Sequence, residues 1–235
     1  MPLVETDWLE KNISSVKIID CSWHMPQTKR NGLEEYKKQH IPNSLFFDLD
    51  ANSKQKIDLP HMLVNQIEWE EIVSKMGIKN DDKIVIYDNS DVISSCRCWF
   101  NFIYFGHNPE LVHVLNGGLK KWIKENKEVT NDVTKITRSN YKSFEKKEFV
   151  KKKEQIDLNI KEQNFKVIDA RSKERFEGKV PEPRKGLRSG SIKNSFCIPF
   201  NLCLSEDRTF KNKKDLKLIF ETCLKNINEK NIVFS

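Results

Sequence analysis

No apolar run in the 235-residue chain approaches the ~20 residues that a membrane-spanning helix needs. The opening stretch, MPLVETDWLEKN, has no apolar signal core and carries acids early, so no secretory signal is expected. Nor is there a dense cysteine framework. Cys21, Cys96, Cys98, Cys197, Cys203 and Cys223 lie far apart compared with a small stapled scaffold, which leads us to expect reduced thiols in a cytoplasm. No one sign of charge dominates: 41 Lys and Arg stand against 34 acids, for a net charge of +7. Such a balance suits nucleic acid, a membrane surface or a small anion. The lysines are scattered and often sit beside Glu or Asp, so a solvated surface is expected, with no nucleic-acid or membrane partner.

The remainder describes a globular protein. Apolar residues make up 37% and charged residues 32%, a mix that excludes disorder. Fourteen Phe and five Trp supply large side chains for real cores. The length allows one large domain or two ordinary ones.

An internal repeat decides between these. VKIID ends at Asp20 and FKVID at Asp169; HIPNSLFF at 40–47 is echoed by SIKNSFCI at 191–198; DDKIVIYD at 81–88 is echoed by EKNIVFS at 229–235. The offsets are 149 (Asp20 to Asp169), 151 (Ile41 to Ile192) and 148 (Val85 to Val233). Three matched segments in one order imply two copies of one domain. We place them at 1–126 and 149–235, joined by a polar, Lys-rich linker at 127–148.

Strand and helix signals alternate within a copy. Val16–Asp20 and Lys83–Tyr87 read as strands, as does Leu111–Leu115. Leu33–His40 reads as a helix closed by Pro42. Asn65 and Glu68 have capping-box spacing ahead of a stripe of Ile67, Ile72, Val73 and Met76, with Gly77 as the stop. Further helices are expected over 94–105 and from Gly117–Gly118 to about Asn126. The class is therefore α/β: two tandem domains, each a parallel sheet with helices on both faces. Tyr87 aligns with Ser235, so the residue after Ser235 would match Asp88. Past Asp88 the first copy still builds a helix, a strand and a last helix, so the second copy is expected to be incomplete. The strand end at Ser235 is where an open parallel sheet binds ligands.

DARSKERFEGKVPEPRKGLRSGSIKNSFCIPF at 169–200, HIPNSLFFDLD followed by PHM, and HVLNGGLKKW at 113–122 resemble the tandem rhodanese family of thiosulfate and 3-mercaptopyruvate sulfurtransferases. The resemblance covers nearly the whole chain and implies tandem rhodanese-like domains. In that family the second domain carries a catalytic cysteine on the turn after a strand like NIVFS, and the first has an inert turn. Asp88 in YDNSDVISSCR occupies the inert position, and the nucleophile is expected immediately after Ser235.

The implied chemistry is sulfur transfer. A thiolate attacks the outer sulfur of a small anionic donor and becomes a persulfide. A thiol or cyanide acceptor, with thioredoxin among the candidates, then takes the sulfur. A free cysteine ionises near ~8.5, so the turn must favour the anion with unpaired backbone N–H groups at a helix N-terminus. Arg175 and Arg184 match the arginines that hold the donor, and a planar fork suits a carboxylate. Asp50 and His61 match an acid–histidine pair of the first domain that relays protons. Of the two nearby acids, Asp48 and Asp50, the alignment favours Asp50. The Arg184, Asp50 and His61 residue types tilt the donor towards 3-mercaptopyruvate over thiosulfate. Arg97 matches a family arginine with a structural role. Cys96 and Cys98 point apart on a helix and have no partners for a metal, so neither metal nor cofactor is expected. A monomer is expected. The competing readings are a non-catalytic rhodanese-like binding or regulatory module and a phosphatase on the same fold.

Overall fold

In the computed structural model, residues 2–183, 186–224 and 231–235 are described. The chain divides into two compact units, Met1–Phe149 and Val150–Ser235.

The first unit runs β1 (Leu3–Val4), α1 (Thr6–Asn12), β2 (Lys17–Asp20), α2 (Gly32–Lys38), β3 (Ser44–Phe46), α3 (Gln66–Lys75), β4 (Ile84–Tyr87), α4 (Ser94–Tyr104), β5 (Val112–Leu115) and α5 (Gly118–Lys124). Its strands form one parallel sheet in the order β1-β5-β4-β2-β3. All four residues of β4 are wholly buried, as a sheet covered on both faces requires. One face packs Ile18, Val85 and Tyr87 against Leu9, Ile41, Leu115, Leu119 and Trp122. The other carries a ring cluster in which Trp69 stacks on Phe105 and meets Phe102 and Phe47.

Local chemistry sets the helix ends. The Asn65 side chain accepts from the Glu68 N–H, and the Glu68 carboxylate accepts from the Asn65 N–H, which closes the expected capping box. Gly77 follows with φ +66°. The buried stripe of α3 differs from the expected one. Trp69, Val73 and Met76 face the core, while Ile67 is 79% exposed. Ile67 lies two residues before Trp69, about 200° round the helix, so it cannot share that face.

The segment read as a linker, 127–148, lies along the first unit. Thr130 pairs with His40 in an isolated bridge, and the Ser139 and Tyr141 amides donate to Ser74. Tyr141 is buried and stacks on His107. Phe144 covers Gly106, where φ is +84° and any Cβ would strike its ring. A few apolar and aromatic residues spaced along a polar segment are enough to strap it down without periodicity.

The second unit runs α6 (Lys153–Glu162), β6 (Lys166–Asp169), α7 (Lys173–Phe176), β7 (Phe196–Cys197), α8 (Lys213–Glu221) and β8 (Ile232–Phe234). Its parallel sheet has the order β7-β6-β8, the counterpart of β3-β2-β4. Among the described residues it has no counterpart of β5 or β1. Its core centres on Ile168, Ile198 and Leu224. Where β4 is wholly buried, Phe234 of β8 is 60% exposed. No helix among the described residues is long and apolar enough to cross a membrane.

Candidate active site at the strand ends

The two units repeat each other bond for bond at the carboxyl ends of their central strands. The Cys21 N–H donates to the Tyr87 carbonyl at 2.9 Å, and the Ala170 N–H to the Ser235 carbonyl at 3.0 Å. Asp20 Oδ1 accepts from the Ser22 N–H at 2.8 Å, and Asp169 Oδ1 from the Arg171 N–H at 2.9 Å. Phe47 and Ile198 donate alike to the Asp20 and Asp169 carbonyls. Ser235 therefore occupies the place of Tyr87, as the repeat expects.

In the first unit the turn after β4 is filled from within. The Asp88 carboxylate is buried and accepts from the Ser95 N–H at 2.8 Å and the Ser90 hydroxyl at 3.0 Å, with the Ser94 hydroxyl 3.1 Å away. These donors sit at the N-terminus of α4, where the helix dipole favours an anion. Burial pushes the Asp88 carboxyl above its ordinary range, while the bond from Ser95 opposes the shift. The chain's own carboxylate thus occupies the place an external anion or a thiolate would take.

The structure brings Asp50 and His61 together beside this turn. His61 Nε2 lies 2.7 Å from Asp50 Oδ1. The Trp23 indole N–H donates to the other carboxylate oxygen at 2.9 Å, and its ring meets the His61 ring edge-on at 4.8 Å. Arg97 of α4 donates from Nη2 to the His61 carbonyl and from Nε to Asn101 Oδ1. His61 itself has φ +56°, an uncommon conformation for a residue with a Cβ. Asp48 is used differently, its carboxylate accepting from the Ala51 N–H.

In the second unit an arginine cluster surrounds one acid. The Glu182 side chain is 4% exposed and receives Arg171 Nη1 at 2.7 Å and Arg175 through Nε and Nη2. Arg175 first, then Arg171, hold the Glu182 carboxyl below the usual range. Arg171 also grips the Asp169 carboxylate and the Gly190 carbonyl. The Nε–Nη2 edge of Arg175 is thus already paired. Among the described residues nothing bonds its Nη1, which leaves the end-on edge for a further anion. Arg184 lies outside the described residues.

Comparison with known proteins fits this geometry. A family model described as the rhodanese-like domain matches residues 5–125. The thiosulfate sulfurtransferase of Rattus norvegicus is 34% identical over 93% of this chain and 76% of its own length. The chain belongs to the rhodanese family. The thiosulfate/3-mercaptopyruvate sulfurtransferase 1, mitochondrial, of Arabidopsis thaliana is 38% identical over 94% of the rhodanese chain, which spans 64% of that relative's length. Among solved structures, the Escherichia coli protein SseA, described with the rhodanese fold of 3-mercaptopyruvate sulfotransferases, superposes with a TM-score of 0.87 at 27% identity. That match covers 100% of this chain and 87% of SseA.

None of the rhodanese chain's own thiols is placed as an activated nucleophile. Burial raises the Cys21, Cys96, Cys197 and Cys203 thiols, and Cys96 is pushed up to about 12. Cys98 is wholly buried, and the Cys223 thiol donates to the Phe220 carbonyl. Among the described residues no group of three or more His, Cys, Asp or Glu could hold a metal. Sequence reasoning missed Trp23, Arg171 and Glu182. The repeat held a signal for Arg171: it replaces Ser22 two residues after the strand-end acid. The P-E-P-R run held one for Glu182, read only for its arginine.

Proposed function

We propose that the full-length protein is a sulfurtransferase that moves sulfane sulfur from 3-mercaptopyruvate, or less readily thiosulfate, to a thiol or cyanide through a cysteine persulfide. The observation that carries this reading is the Arg171–Glu182–Arg175 cluster in the unit whose β8 ends at Ser235, in the register of Tyr87. A turn continuing from Ser235 starts where the first unit builds a nest of N–H and hydroxyl donors around Asp88. A cysteine at the Asp88-equivalent position would be held as a thiolate by equivalent donors of its own turn.

3-Mercaptopyruvate gives up its sulfur in two steps. The thiolate attacks the donor sulfur, the carbon–sulfur bond breaks, and the carbon keeps the electron pair as an enolate. A proton delivered to that carbon gives the keto acid. The persulfide then yields its outer sulfur to the acceptor and regenerates the thiolate. Arg175 through its end-on edge, together with Arg184, binds the donor's carboxylate and carbonyl. Asp50 and His61 relay the proton, the carboxylate fixing which imidazole nitrogen carries hydrogen. Thioredoxin is a suitable thiol acceptor, and free cysteines suit a reducing compartment such as the cytoplasm.

A second reading, a non-catalytic binding module, is favoured by the self-filled Asp88 turn of the first unit. The reading frame after Ser235 and one pair of assays separate the two. A cysteine there, with donor-dependent thiocyanate and sulfide release, supports the enzyme; a non-cysteine without turnover supports the module.

A further inference from the structure

The first unit keeps a full strand–turn–helix although its turn holds no nucleophile. The turn makes contacts that a mere remnant has no need to make. Ser94 donates to the Cys21 carbonyl, lies 3.1 Å from Asp88 Oδ2, and accepts from the Trp23 N–H at 3.1 Å. The Asn89 N–H donates to the Ser22 hydroxyl at 2.8 Å. The turn thus fixes the backbone of 21–23, and with it the Trp23 indole. That indole donates to Asp50 and walls one side of the His61 ring. From the helix that leaves the same turn, Arg97 reaches the His61 carbonyl.

His61 needs such support. Its backbone is left-handed and its ring is 15% exposed, while the Asp50 side chain is 68% exposed. An exposed carboxylate–imidazole pair is held weakly by its own attraction, because water screens it and both side chains lose freedom. Here each member carries a second restraint from the turn or from α4. We propose that the inert turn 88–95 and α4 are the scaffold of the Asp50–His61 pair, with Trp23 and Arg97 as its positioning residues. This rests on the relay role given to that pair above.

The scaffold makes a spectroscopic prediction that does not depend on turnover. A carboxylate only accepts, so the bond to Asp50 holds the neutral imidazole as the Nε2–H form, with Nδ1 as the basic nitrogen. In this 235-residue chain labelled with 15N-histidine, long-range 1H–15N correlations at about pH 8 read that form directly. H61Q assigns the signal. Wild type is expected to show the Nε2–H pattern alone. W23F, which keeps a ring but loses the donor, and R97M are expected to mix both forms. R97K, which retains a donor for the carbonyl, is expected to recover most of the wild-type pattern. In the full-length protein, W23F and R97M are expected to lower kcat about tenfold with KM within about twofold, since orientation rather than donor binding is lost. An unchanged His61 pattern in folded W23F and R97M overturns the scaffold. R97K decides the arginine's part if R97M does not fold. Full turnover in H61Q with a disturbed pattern in W23F refutes the relay role and leaves the scaffold standing.

Discussion

In native-state hydrogen exchange, four backbone amides give a matched comparison between the units. Lys17 and Cys21 donate to the β4 side at 2.8 and 2.9 Å, and Lys166 and Ala170 donate to the β8 side at 2.9 and 3.0 Å. The bonds are the same and the surroundings differ. Every residue of β4 is wholly buried, whereas Phe234 of β8 is 60% exposed. Fully burying such a side chain stabilises by ~1.5–3 kcal/mol, so leaving over half of it in water forgoes about 1.4 kcal/mol. At about 1.4 kcal/mol per tenfold, the Lys166 and Ala170 amides should exchange about tenfold faster than Lys17 and Cys21, after correction for intrinsic rates. Mass spectrometry of the exchanging chain, resolved by fragmentation, reads this directly. The second unit should also melt first and bind a dye for exposed apolar surface. Equal protection of the matched amides, with a single transition for both units, would refute the link between the exposed β8 face and low stability.

Other predictions follow from single residues. Burial pushes the Asp20 carboxyl up to about 7, so the folded state keeps a proton that the unfolded chain releases near ~3.9. Stability from this group is therefore present at acid pH and lost as pH rises from about 4 through about 7, by up to ~4 kcal/mol. D20N should flatten that slope in urea titrations at a series of pH values. Y141A should destabilise the first unit by about 3 kcal/mol in equilibrium unfolding, because the ring is 1% exposed and ties 127–148 down; a free linker would show no loss. In the full-length protein R184A should raise KM for mercaptopyruvate much more than for thiosulfate, and equal effects would remove the arginine from donor recognition.

The parts of the fold that were legible in sequence are those set by short-range rules. Asn65, Glu68 and Gly77 act within one helical turn, and the observed cap and stop follow their spacing. The strands β2, β4 and β5 lie within a residue of their expected bounds. The repeat carried more than any single segment, since it placed Ser235 at the strand end before the matched hydrogen bonds showed it there. What escaped depends on distant partners. Ile67 looked like part of an apolar stripe because residue type does not reveal which side of α3 the core lies on. The 127–148 segment looked free because its anchors, Tyr141 on His107 and Phe144 on Gly106, act across the fold. Asp50 and His61 were paired through resemblance, yet Trp23 and the Arg97 contact were not legible, since 27 residues separate Trp23 from Asp50 and 36 separate Arg97 from His61. Arg175 was read as a fork open to a donor. Glu182, seven residues on, occupies its side-on edge and leaves the end-on one.

The most direct test is to complete the reading frame past Ser235, express the whole protein, and treat it with 3-mercaptopyruvate in the absence of acceptor. Peptide mass spectrometry should find one added sulfur atom on a cysteine directly after Ser235, removed on adding cyanide with release of an equal amount of thiocyanate. An unmodified protein, a residue other than cysteine at that place, or a persulfide confined to Cys197, Cys203 or Cys223 would contradict the account.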